Sequence, residues 1–260
     1  MIERDEACPG QADGPCFVMF FVSVNRNVSP AANCIGVATS PTPAGPFLDR
    51  GILERDTGAV DQSGRPLGCG DDAGYSNIDP APFVESDGTA YLYFSTGHPC
   101  PPGTPPNTEC AWDRELSVVP LANDLLDATA PRQVLLSNGE PWDQGVVENP
   151  WPKANGDTRE LLYSGGNFTR AYGMGYATGG AATGPFAKVA GNPFLADTQQ
   201  VRSAGGGSLV TGPKGQTWIA YHGRAGAYNQ PRTLRIDPLG RRADGTLTTP
   251  GPSSAPQPLP

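Results

Sequence analysis

The chain repeats itself, and no other feature narrows its fold as far. GVATSPTPAGPF (36–47) and GYATGGAATGPF (175–186) share the pattern G-x-A-T-x5-G-P-F, each behind a strand-like run, CFVMFFVSV (16–24) and ELLYSGG (160–166). A second unit also recurs: an apolar or Pro-containing stretch, a Gly-centred turn, then an aromatic stretch. It reads APFVESDGTAYLYFSTG (81–97), NPWPKANGDTRELLYSGG (149–166) and GGSLVTGPKGQTWIAYHG (206–223), with a weaker copy in CPGQADGPCFVMFFVSV (8–24). The turns carry DG, NGD and PKG, hairpin chemistry in which Gly supplies the positive φ. In TAYLYFS, Ala90, Leu92 and Phe94 fall on one face and Tyr91 and Tyr93 on the other, the period of a strand. Helical periodicity is nearly absent; ANDLLDATAPR (122–132) predicts one short turn at most.

Aligned on their aromatic strands, the repeats are about 60–70 residues long, enough for a four-stranded sheet with its connections. Four of them fill the 260 residues. The expectation is an all-β single domain with radial repetition, a β-propeller, its blades at 7–70, 71–140, 141–200 and 201–250 and a tail at 251–260. A β-sandwich is the alternative, but its strands would not repeat in this way.

Composition agrees with short strands and tight turns: 34 Gly, 29 Pro and only 17% charged residues. A net charge of −8 speaks against a nucleic-acid partner, which needs a basic face. No apolar run reaches the roughly 20 residues of a membrane-spanning helix. Six cysteines (Cys8, Cys16, Cys34, Cys69, Cys100, Cys110) form no CxxC pair, and His98 and His222 lie far apart, so no metal site is expected. Two readings of the cysteines stand: free buried thiols, or disulfides made in an oxidising, extracellular compartment. In the second, Cys100–Cys110 and Cys34–Cys69 are favoured and Cys8–Cys16 is left over. MIERDEACPG has no apolar signal-peptide core. The expectation is therefore a natural gene with a signal peptide and a first blade upstream of Met1.

Two repeats open with an acid closely followed by proline: Asp79-Pro80 and Glu148-Asn149-Pro150. Counted back from Tyr93 and Tyr163, the acids fall within one residue of the same repeat position. In a propeller such positions face a common channel, where paired carboxyls drive their pKa values apart. The bland reading of either acid is a turn former or a strand-end cap.

IDPAPFVESDGTAYLYFS, GVVENPW, the two A-T-x5-G-P-F segments and GGGSLVTGPKGQTWIAYH together resemble glycoside hydrolase family 43, over Cys8 to Pro250. The resemblance implies a five-bladed propeller type, with about four blades in this chain, and inverting hydrolysis of arabinofuranosyl or xylosyl linkages. It implies Glu148 as general acid and Asp79 as the acid that orients Glu148 and keeps its pKa high. It implies a carbohydrate as partner and a secreted monomer without cofactor. A general base should open an earlier blade. The nearby aspartates fit poorly: Asp13 sits in an ADGP turn and Asp5 in the terminal segment. A sugar-binding propeller without catalysis is the second functional reading; fructan-cleaving propellers, which also need an N-terminal Asp, are a third.

Trp151, three residues past Glu148, is the first choice for a sugar-stacking platform. Phe168 is another, and Trp112 and Trp142 read equally as packing. Asn167 reads as a sugar ligand or as a turn asparagine. His222 reads as a substrate contact or as a core histidine. The stretch AGGGS (204–208) stands where relatives place a metal-linked histidine, so no calcium is expected.

Overall fold

The computed structural model describes residues 1–25, 32–53, 76–97 and 114–258. It divides into two compact units, Met1–Leu136 and Ser137–Pro260. No helix occurs among the described residues, and 122–132 forms turns closed by a Leu121–Ala128 bridge.

The first unit holds two four-stranded meanders. One runs β1 (Ile2–Arg4), β2 (Cys16–Asn25), β3 (Ala32–Ser40) and β4 (Leu48–Ile52). The other runs β5 (Ser76–Val84), β6 (Ala90–Gly97), β7 (Arg114–Pro120) and β8 (Gln133–Leu136). Every neighbouring pair is antiparallel, as short hairpin connections require. Alternation in β6 acts as expected: Ala90, Leu92 and Phe94 enter a core cluster with Val18, Phe20, Ile35 and Val37. Tyr93, on the opposite face, meets Phe83 edge-on at 6.4 Å. A Cys8–Cys16 disulfide lies in the same cluster, and Cys34 is disulfide-bonded as well. Cys69, Cys100 and Cys110 lie outside the described residues, and with them His98 and Trp112.

The second unit holds β9 (Val147–Asn155), β10 (Thr158–Asn167), β11 (Ala171–Gly179) and β12 (Phe186–Lys188) as its four-stranded meander. A three-stranded sheet follows: β13 (Val201–Thr211), β14 (Thr217–Ala225) and β15 (Arg232–Pro238). A two-stranded piece, β16 (Gly240–Arg241) with β17 (Leu247–Thr248), completes the unit. Its core gathers Leu162, Met174, Tyr176, Leu195, Val201, Ile219 and Tyr221. Arg241 closes a two-pronged ion pair on buried Glu160, at 2.7 and 2.6 Å.

The three four-stranded sheets and the three-stranded one are blades of the β-propeller type, and the repeats map onto them. The two G-x-A-T-x5-G-P-F copies cover β3 to the start of β4 and β11 to the start of β12, and both Gly-Pro bonds, Gly45-Pro46 and Gly184-Pro185, are cis. The first sheet begins at Ile2, ahead of the expected residue 7, because Ile2–Arg4 pairs with Cys16–Val18.

Candidate active site

The acids sit where their strands break register. In β9, Trp151 faces Leu162 and Glu148 faces Ser164, so one residue too many lies between them. Asn149 absorbs the excess at φ 54°, a left-handed conformation that Asn tolerates. In β5, Ala81 faces Tyr93 and Ile78 faces Ser95, and there Asp79 takes φ 56°. The shared bulge equates Ile78 with Glu148, and Asp79 with Asn149. The two carboxylates are thus offset by one residue in the repeat, each at a bulge that re-aims side chains away from the pleat.

In the first unit, Asp79 is half-buried and accepts a hydrogen bond from Ser95 Oγ at 3.0 Å. In the second, Glu148 is 8% exposed, and its Oε1 accepts from the Tyr172 hydroxyl at 2.7 Å. Tyr172 comes from β11, two strands away from β9. Its ring lies parallel to the His222 imidazole, 5.7 Å between centroids and 6° between planes. A glycine makes the seat for that ring: a Cβ on Gly205 would stand 2.3 Å from Tyr172 Cδ1. The next residue, Gly206, has φ +63° and leaves room for His222, 2.6 Å from where its own Cβ would be. Gly206 N–H donates to Ser164 Oγ at 2.9 Å. AGGGS is therefore a surface cut to fit a tyrosine and a histidine.

Burial holds the His222 imidazole down at about 4, helped by the Arg232 and Arg224 guanidiniums. At neutral pH it is an uncharged plate against Tyr172.

The other expected residues have contacts of their own. Asn167 Oδ1 accepts from Thr169 N–H at 2.8 Å and Thr169 Oγ1 at 2.5 Å. Phe168, in the same hairpin, carries the Arg232 guanidinium 5.5 Å from its ring centroid. Trp151 packs against the core of its unit. Trp142 stacks on Tyr163 at 5.6 Å and walls a pocket of about 190 Å³ with Ala171, Tyr172, Pro193 and Asp197. Asp5 and Asp13 are exposed. The structure thus joins Glu148 to His222 through Tyr172, a residue outside the sequence expectations. A signal for it existed: the repeat equates Tyr172 with Asn33, whose Nδ2 donates to Ser76 Oγ at 2.7 Å. Both copies place a polar group at that position in the third strand. Among the described residues, no group of three or more His, Cys, Asp or Glu could hold a metal ion.

The family model of the glycosyl hydrolases family 43 matches residues 13–247. No curated protein matches. Among solved structures, a thermostable family-43 glycoside hydrolase is 24% identical with a TM-score of 0.75, over 94% of this chain and 74% of that one. An endo-1,4-β-xylanase from Bacteroides thetaiotaomicron is 24% identical at a TM-score of 0.65, over 90% of this chain and 76% of that one. An α-L-arabinanase from Cellvibrio cellulosa, solved with arabinohexaose, is 18% identical at 0.64, over 90% and 73%. At these identities the structures establish the likeness of fold.

Proposed function

The chain belongs to the family 43 glycosyl hydrolases, and from that premise we propose that it cleaves arabinofuranosyl or xylosyl linkages with inversion, Glu148 giving the proton. The observation that carries this reading is the setting of Glu148: a buried carboxyl at the head of a bulged strand, one oxygen held by a phenol. A carboxyl so placed can protonate a departing glycosidic oxygen. Asp79, which accepts from Ser95 in the first unit, is the acid to which the family resemblance gives the orienting role. Inversion further needs a base to activate water across the ring, with the carboxyls about 6.5–9.5 Å apart. The xylanase and arabinanase among the similar folds support the sugar class.

The test separates proton donation from mere structure by leaving group. Glu148→Gln should lower kcat on xylo- or arabino-oligosaccharides by about 10²–10⁴-fold, the usual worth of a positioned general acid. A 2,4-dinitrophenyl glycoside, whose leaving group departs without a proton, should lose far less. Equal losses on both substrates, or none, would remove Glu148 from this role.

One observation favours a second reading, a propeller that binds carbohydrate without turnover. Asp5 and Asp13 are exposed, and neither heads a strand as Glu148 does. Calorimetric binding of the same oligosaccharides with no product release would select it. The Cys8–Cys16 disulfide and the bonded Cys34 support an extracellular site of action for either reading.

A further inference from the structure

We infer that Tyr172 is a positioning residue for Glu148: its hydroxyl fixes Oε1, so that Oε2 is the oxygen that delivers the proton. The inference rests on the reading of Glu148 as general acid. Tyr172 and Glu148 are both buried, at 4% and 8% exposure, and the 2.7 Å bond between them lies out of water. A carboxyl on a short side chain has two equivalent oxygens and would turn between them unless one is held. Tyr172 can hold it because its own ring cannot swing. The His222 plate covers one face, and the Gly205 backbone lies where only a missing Cβ gives room.

The charge balance follows the proton. Oε2–H breaks and the proton goes to the glycosidic oxygen, which keeps the pair of the broken C–O bond, while water bonds to the anomeric carbon and gives its proton to the base across the ring. The carboxyl is left negative, while Tyr172 keeps its proton throughout. A phenol donating to Oε1 binds the carboxylate more strongly than the neutral acid, so its bond tightens as the proton leaves. His222 adds no competing charge, being held neutral by burial beside Arg232 and Arg224. Ser164 Oγ, opposite Glu148 in the ladder, is engaged by Gly206 N–H.

Tyr172→Phe keeps the ring in its seat and removes the hydroxyl alone. On oligosaccharides kcat should fall about tenfold, the worth of one hydrogen bond to a charged group. The alkaline limb of the pH–rate profile should move about one pH unit upward, because the carboxylate has lost a stabilising donor. The dinitrophenyl glycoside should change less than about twofold. A limb that stays in place, or equal losses on both substrates, overturns the inference. Carboxyl ¹³C titration of glutamate-labelled protein, with the Glu148 signal assigned by its loss in Glu148→Gln, gives the same shift without any turnover. An unmoved signal there also overturns it. The two failures are distinguishable: Glu148→Gln without effect sinks the general acid, whereas a strong Glu148→Gln effect with an unmoved Tyr172→Phe titration sinks only the positioning role.

Discussion

His222 shows how one side chain links the site to stability. Folded, it titrates at about 4, chiefly through burial; unfolded, it returns to near 6.5. Between those values the unfolded chain binds more protons, so stability falls as pH drops from about 6.5 to about 4 and is untouched above. Screening by the solvent that reaches this half-buried ring leaves on the order of 1–2 kcal/mol. His222→Phe, which keeps a ring against Tyr172, should flatten the loss by that amount. Urea midpoints of both proteins at pH 7 and pH 4.5 measure it, and parallel slopes would show that His222 contributes nothing. This residue also marks how far single positions could be read from sequence. Proline and the aromatic register set Asp79 and Glu148 near one repeat position, and the folded chain puts both at strand bulges. The bulge they share, at which Asp79 and Asn149 take positive φ, is announced by no spacing count. Tyr172 was legible only in part: the repeat sets a polar group at its position, but a tyrosine in a Gly-rich strand reads as core. Its hydroxyl acquires meaning only when β11 is folded beside β9.

At the level of elements the repeat predicted which segments are strands, since period-two alternation and Gly turns are local signals. It did not predict how the last sheet ends. Among the described residues that sheet has three strands, and the segment after β17 docks on it through one buried carboxylate. Asp237 is fully buried and accepts from Tyr221 OH at 2.5 Å, from Ser253 N–H at 3.1 Å and from the Ser253 hydroxyl. Arg235 holds the Ser253 carbonyl at 2.8 Å. Burial, with Asp237 beside it, pushes the Tyr221 phenol far above its usual range, so it stays a donor. Residues 251–258 of the expected tail are therefore a strap, tied by tertiary contacts that a Pro-Ser-Ser sequence does not advertise. Asp237→Ala leaves a buried phenol and a backbone N–H without their acceptor. It should cost about 2–4 kcal/mol in urea unfolding. Limited proteolysis should then cleave around 251–258 well before the sheets. A strap as resistant as the wild type's would show that Asp237 does not hold it.

For the whole molecule the relevant quantity is charge. At −8 it repels anions over distances that low salt does not screen, about 30 Å at 0.01 M against about 10 Å at 0.1 M. Unsubstituted arabinan and xylan are neutral, so their approach should ignore this field. Uronic-acid-substituted xylan is an anion and should be slowed by it. The proposed function therefore makes a paired prediction for kcat/KM between 0.01 and 0.3 M salt. For a neutral oligosaccharide it should change less than about twofold, since no steering charge is involved. For the acid-substituted counterpart it should rise severalfold with salt, as repulsion is screened. The sequence makes legible the sign that the net charge sets, because net charge needs no fold. The sign at the site depends on where Arg224 and Arg232 stand, beside His222, and only the folded chain reveals that pair. If they dominate locally, the acidic substrate is drawn in and salt slows it. A fall in kcat/KM with salt on the acidic oligosaccharide, beside a flat response on the neutral one, would thus assign substrate attraction to these two arginines against the charge of the whole.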